Sequence, residues 1–225
     1  MYVLSKIKNY FVPDISRERS VLFGIYRGLK LDINLRNKLQ VYLGLWERET
    51  FPYLTKSIQD TEWFIDVGSG DGELCILFLK KSSVEVVYAF DPLTQCTDRM
   101  KDDLSINGIA DDGRLKVSNK LVGNGPGKGF IKLDEIVLRN NKKGFIKIDV
   151  EGAELDVLKS GNSILNNENV NLLIETHSKD LENDCVNFLE NLNFNIKIIK
   201  NAWWRIFIPE YRPVDHNRWL WATKK

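Results

Sequence analysis

From about residue 62 the apolar positions fall into short runs separated by longer amphipathic stretches. Trp63-Phe64-Ile65, Val86 to Phe90, Leu115-Lys116-Val117, Phe145 to Ile148 and Asn171 to Ile174 read as strands, being too short for helices. Between them, Leu74 to Leu79, about 94–107, Ala153 to Leu158 and about 180–191 carry helical patterns. A glycine-rich loop, Gly123 to Gly129, precedes a short helix near Leu133 to Leu138. Strands alternating with helices predict a parallel sheet with crossover helices on its faces. The rhythm stops near the C-terminus. Asn195 to Ile199 and Trp219 to Ala222 read as strands, with Trp203 to Ile208 a further candidate. No convincing helix separates them, so an antiparallel hairpin is expected, its loop carrying Pro209 and Pro213. Upstream, 36–58 reads as helical, with Leu39, Leu43, Trp46 and Phe51 on one side, and 1–35 is poorly periodic. This predicts one structural domain: a helical or irregular extension, 1–60, packed on a core formed by 61–225.

Composition narrows the picture. Of 225 residues 43% are apolar, enough for a full core, and the formal net charge of +1 argues against a broad nucleic-acid footprint. Cys75, Cys96 and Cys185 are far apart and make neither a CxxC pair nor a disulfide framework. Cys75, inside an apolar run, reads as a small core residue. Met1 to Phe11 lacks a sustained apolar stretch, and Val21 to Tyr26 is far shorter than the roughly 20 residues a membrane helix needs. A cytoplasmic protein without a membrane span is expected, its oligomeric state left open.

Chemistry enters at Phe64-Ile65-Asp66-Val67-Gly68-Ser69-Gly70-Asp71-Gly72-Glu73, an apolar strand running into a glycine turn and then a helix. Such a turn opens backbone amides at a helix N-terminus to a ligand. A dinucleotide fingerprint needs a third glycine where Glu73 stands, and an acid sits poorly beside a pyrophosphate. The spacing suits a ligand without phosphate, and S-adenosylmethionine fits, with Asp66 orienting its ammonium. The next strand ends in Asp91-Pro92, placing an acid where ribose hydroxyls are bound in related sheets.

A second group of acids follows Phe145 to Ile148: Asp149, Glu151 and Glu154. If the strand continues, Asp149 and Glu151 point the same way. Glu175 and His177, at the end of the next strand, also share a side. Ligands of open α/β sheets bind beyond the carboxyl ends of strands, so these groups are expected in one crevice. Glu154 reads as a cap or solvated acid at the start of the following helix.

The motifs "FIDVGSGDGE", "VYAFDP", "IKLDEI", "FIKIDVEGAELDVLKSG" and "LLIETH", in this order, resemble the FkbM family of S-adenosylmethionine-dependent methyltransferases from about residue 40 onward. The resemblance implies a Rossmann-like class I methyltransferase fold: a seven-stranded, mostly parallel α/β sheet with an antiparallel C-terminal hairpin and helices on both faces. It implies methyl transfer, usually to oxygen, on a small molecule or glycan. By match of motif, Asp66, Gly68 and Gly70 hold the methionine end of the cofactor and Asp91 the ribose, with Ser69, Pro92 and Asp149 as further candidate cofactor contacts. Glu47, in "GLWERE", matches an upstream glutamate near the cofactor. The family often reads Ala-Asn where this chain has Ser69-Gly70.

The acceptor hydroxyl must lose a proton. General base catalysis by Asp149 or His177, with Glu151 and Glu175 nearby, is one route. A divalent ion held by Asp149, Glu151, Glu175 and His177 is the other. The metal-free route is the expectation. Trp203, Trp204, Trp219 and Trp221 suit a terminal hairpin by packing on the sheet, or stack on a flat acceptor; packing is preferred. His216, Arg212 and Arg218 nearby fit a solvated loop or an anionic acceptor. Rival functions are an RNA methyltransferase, disfavoured by the charge and by the absence of an RNA-binding module, and an inactive cofactor-binding module, disfavoured by the intact acids.

Overall fold

The computed structural model describes residues 10, 12–136, 142–167, 169–202 and 216–224. A hairpin of β1 (Ser16–Ser20) and β2 (Lys30–Asn34) comes first, then α1 (Leu35–Tyr42) and α2 (Phe51–Asp60). The core alternates from there: β3 (Trp63–Val67), α3 (Glu73–Lys81), β4 (Val86–Phe90), α4 (Thr94–Ile106), β5 (Leu115–Ser118). Two very short strands, β6 (Leu121–Val122) and β7 (Phe130–Ile131), pair around the glycine-rich loop. β8 (Gly144–Ile148), α5 (Glu154–Ser160), α6 (Asn162–Asn167), β9 (Val170–Thr176), α7 (Lys179–Asn191), β10 (Phe194–Ile199) and β11 (Arg218–Lys224) complete the chain.

Seven strands form one sheet in the order β10-β11-β9-β8-β3-β4-β5. All neighbours pair in parallel except β11, which inserts antiparallel between β9 and β10. This is the expected seven-stranded, mostly parallel sheet with a terminal antiparallel hairpin. The central strands β3, β8 and β9 are buried at every position, as parallel strands covered on both faces should be. Alternation then sorts their side chains into two cores. Phe64 and Phe145 stack with Phe78 of α3 on one face, at centroid distances of 4.1–5.7 Å, joined by Leu173, Trp219 and Trp221. Ile65, Val67, Ile146, Ile148 and Ile174 face α5 and α7 on the other.

The first face also carries Asp66 and Lys147, which share it with Phe64 and Phe145 and are register partners across β3 and β8. The N-terminal hairpin covers the same core with Leu31 and Ile33, and Asp103 of α4 accepts the Asp32 amide at 2.7 Å.

Three expectations change. The reading of 36–58 as one helix gives way to two. Pro52 opens the second, and Glu47, with φ 47°, turns the chain between them in a left-handed conformation that L residues rarely hold. The segment read as aperiodic contains the β1–β2 hairpin, whose only buried alternation is Leu31 and Ile33. The short helix expected to reach Leu138 is a single 3-10 turn, Leu133–Glu135, and Leu138 lies outside the described residues. Trp203 to Ile208, Pro209, Arg212 and Pro213 also lie outside them. No helix among the described residues is long and apolar enough to cross a membrane.

Candidate active site

The glycine turn lies between β3 and α3. Gly68 and Ser69 donate their amides to the Phe90 carbonyl at 2.8 and 3.0 Å, tying the turn to the end of β4. Gly68 has φ +78°, and a Cβ there would stand 1.9 Å from the Asp149 carbonyl oxygen, so no side chain fits where the turn crosses the end of β8. Asp91 holds the turn from its other flank. Its two carboxylate oxygens accept the amides of Gly70 at 3.0 Å and Leu93 at 2.9 Å. Pro92, between Asp91 and Leu93, is exposed.

A cavity of about 330 Å³ opens against the turn. Asp66, Gly68, Ser69, Gly70, Lys147 and Asp149 form its floor, and Lys38, Trp46 and Glu47 are on its N-terminal side. Asp91 and Pro92 are not among its lining residues. Lys38 of α1 bridges Asp71 and Glu73, at 2.6 and 2.5 Å, and so clips the N-terminal segment to the turn.

Lys147 is the centre of this floor. Its ammonium donates to the Gly68 carbonyl at 2.9 Å and to Asp149 Oδ2 at 3.2 Å, and lies 3.5 Å from Asp66 Oδ1. Burial opposes its charge, but Asp149, Asp66 and Glu47 outweigh that and hold its pKa above the ordinary lysine value. Asp66 is pushed up to about 6 because burial penalises its charge more than Lys147 rewards it. Sequence reasoning missed Lys147 as a site residue. The signal was a lone cation inside the run Phe145 to Ile148, two positions before Asp149 and therefore on its side of the strand.

A second cluster adjoins Asp149. Ligand atoms of Asp149, Glu175 and His177 lie within 4.8 Å of one another, so these three sequence candidates converge. His177 Nε2 stands 3.8 Å from Asp149 Oδ1 and 3.7 Å from Glu175 Oε2. Its Nδ1 meets Glu154 Oε1 at 2.5 Å. Glu154 is fully buried, so the reading of it as a solvated helix acid is corrected: its carboxylate orients the imidazole and accepts the Gly152 amide at 3.2 Å. Glu151 does not join the others. β8 ends at Ile148, the period of two lapses, and Glu151 is exposed in the turn before α5.

Trp219 and Trp221 are buried, as expected, on the first face of the sheet. Trp221 packs on Tyr53 and Phe145, while Trp219 also reaches the cavity wall. Arg218 and His216 both contact the buried Glu182 of α7, Arg218 Nε at 2.6 Å and His216 Nε2 at 3.2 Å. Trp203 and Trp204 lie outside the described residues.

Residues 131–196, which hold this second cluster, match the model of the methyltransferase FkbM domain. The match spans 66 of the 225 residues, a likeness to that domain over this stretch of the chain. No curated protein matches it in sequence. Among solved structures, the FkbM methyltransferase of Methylobacillus flagellatus KT is 19% identical with a TM-score of 0.60, over 73% of this chain and 44% of that one. The precorrin-6y C5,15-methyltransferase of Geobacter metallireducens GS-15 is 15% identical with a TM-score of 0.53, over 80% of this chain and 90% of that one. A SAM-dependent O-methyltransferase of Thermotoga maritima is 15% identical with a TM-score of 0.51, over 78% and 64%. At such identities the likeness is one of fold, and the chain spans less than half the length of the first of them.

Proposed function

We propose that this chain transfers a methyl group from S-adenosylmethionine to a hydroxyl oxygen of a small molecule or glycan. The observation that carries the reading is Asp149, which belongs both to the cavity floor beside the glycine turn and to the cluster with Glu175 and His177. A donor on the turn and an acceptor at the cluster would therefore meet at one carboxylate.

The residues fit such a cofactor. Asp66 Oδ1 and Ser69 Oγ are buried and make no hydrogen bond. Beside Gly70 the space is open: a Cβ on that residue would meet nothing within 4 Å. Glu47, Asp66, Gly68, Ser69 and Gly70 would hold the methionine end, with Lys147 facing its carboxylate. Asp91, with Pro92 beside it, would take the ribose on the acceptor lone pairs left by its two amide bonds. The cofactor supplies an electrophilic methyl group. The chain's own task is to exclude water, align the acceptor oxygen and remove its proton at the cluster. The near-neutral charge favours a small acceptor over RNA. The free cysteines, two of them buried, suit the cytoplasm we assign.

Calorimetry should show S-adenosylmethionine and S-adenosylhomocysteine binding and no binding of NAD. A screen of glycans and lipid-linked sugars with isotopically labelled methyl donor should then find the acceptor. Preference for NAD would remove the reading.

A further inference from the structure

We propose that Asp149, Glu175 and His177 bind a divalent transition-metal cation of the Mn²⁺ kind, with Glu154 fixing His177 as a ligand. The group is more than a collection of acids, since one member is an imidazole aimed into it. The His177 side chain is 8% exposed, and its Nε2 is buried without a hydrogen bond. At 3.7 and 3.8 Å from the two carboxylate oxygens, Nε2 is beyond hydrogen-bond reach of both. The other ring nitrogen is committed. A carboxylate only accepts, so the contact with Glu154 places a proton on Nδ1, and in the neutral ring that a metal ligand must be, the Nε2 lone pair faces Asp149 and Glu175. A ligating histidine held from behind by a carboxylate is the arrangement that fixes ring orientation and raises ligand basicity at metal sites.

The donor set is two oxygens and one imidazole nitrogen, drawn from the ends of β8 and β9. Two carboxylates balance a charge of +2. The nitrogen favours Mn²⁺ over Mg²⁺, which prefers oxygens and water. Three protein ligands leave coordination positions open, as sites that act on a substrate require. Glu151 drops out of the set expected from sequence. The ion's role rests on the methyl-transfer reading: next to the cavity through Asp149, it would hold the acceptor hydroxyl and lower its pKa. We adopt this route in place of the metal-free one. Binding of the ion itself does not depend on that reading.

The test is titration of the full chain, stripped with EDTA, with Mn²⁺ alone, followed by electron paramagnetic resonance and calorimetry. One saturable site is expected. Glu175→Gln and His177→Ala should each weaken it at least 10-fold, and Glu154→Gln by about 10- to 100-fold, the usual effect of removing a ligand's supporting carboxylate. Thermal melts of each variant show whether it is folded, and the wild-type titration stands without them. No saturable binding, or equal affinity in a folded His177→Ala protein, would overturn the site. S-adenosylmethionine is titrated separately. Mn²⁺ binding without cofactor binding keeps the ion site and removes the methyl-transfer reading; cofactor binding without Mn²⁺ binding does the reverse.

Discussion

Asp149 belongs to two clusters at neighbouring strand ends, and each of its oxygens faces a different one. Oδ2 accepts from Lys147, whose ammonium also serves Asp66 and the Gly68 carbonyl. Oδ1 faces His177, with Glu175 alongside, at distances too long for hydrogen bonds. The first cluster is built around a permanent cation that closes its electrostatics within the fold. The second is built around an oriented lone pair. On the proposed methyl-transfer reading the difference gives two jobs: the Lys147 side would position a charged donor, and the His177 side would receive what must become nucleophilic.

The sharpest way to break this division is Asp149→Asn, which removes the group common to both. Turnover should fall roughly 100- to 10,000-fold, the scale of losing help in removing the acceptor proton, here by loss of an ion ligand, in a protein that still melts cooperatively. A variant retaining near wild-type turnover would detach the acceptor site from this carboxylate. Next is Lys147→Met. It leaves the buried Asp66 and the part-buried Asp149 without their cation and should cost about 3–5 kcal/mol in denaturant unfolding. Loss of cofactor affinity with unchanged stability would show that the lysine is not part of the fold's charge balance. Trp221→Ala, which removes ring contacts with Tyr53 and Phe145 and no group of either cluster, should also cost about 3–5 kcal/mol by emptying a packed aromatic site, without selectively impairing acceptor use.

A smaller effect is expected at Asp91. Asp91→Ala should weaken S-adenosylmethionine by roughly 1.5–3 kcal/mol, the range for hydrogen bonds to a charged group. Because Asp91 also holds the glycine turn, the same titration with adenosine alone separates a lost ribose contact from a displaced turn; unchanged affinity for both ligands would remove the assignment. The last effect is one of pH. The folded pKa of Asp66 is raised to about 6, so its carboxylate is ionised above that value and neutral below it. If the ionised form orients the cofactor ammonium, affinity should fall as pH drops through about 6. The raised pKa has an opposite sign for folding: the protonated form is favoured, and that contribution to stability is lost as pH rises through about 6. Asp66→Asn should therefore gain in melting temperature over wild type on going from acid to neutral pH. A constant difference would contradict the shift.

How much of this was legible before the fold was known follows from what each feature depends on. The strands β3, β8 and β9 announce themselves because full burial leaves unbroken apolar runs. The glycine turn is legible because its conformation demands particular residues in a row. Asp149, Glu175 and His177 were legible as strand-end groups, since sheet topology alone brings those ends together. Glu154 was not: one turn into a helix, its sequence context is that of a solvated acid, and only α5 packing against the β9 end turns it inward onto His177. Glu151 was misplaced because a period of two holds only while the strand lasts. Lys147 was visible but uninterpreted, because a buried lysine acquires meaning from Asp66 across the sheet, a partner 81 positions upstream. The β1–β2 hairpin went unread because two buried residues among charged neighbours are too short a pattern to separate from a loop.

Calorimetric titration of S-adenosylmethionine into wild type, Asp66→Asn and Glu175→Gln, at about pH 8 where Asp66 is ionised, tests the division most directly. The account predicts one site in wild type, at least 10-fold weaker binding in Asp66→Asn, and wild-type affinity in Glu175→Gln. No binding to wild type, or equal losses in the two variants, would contradict it.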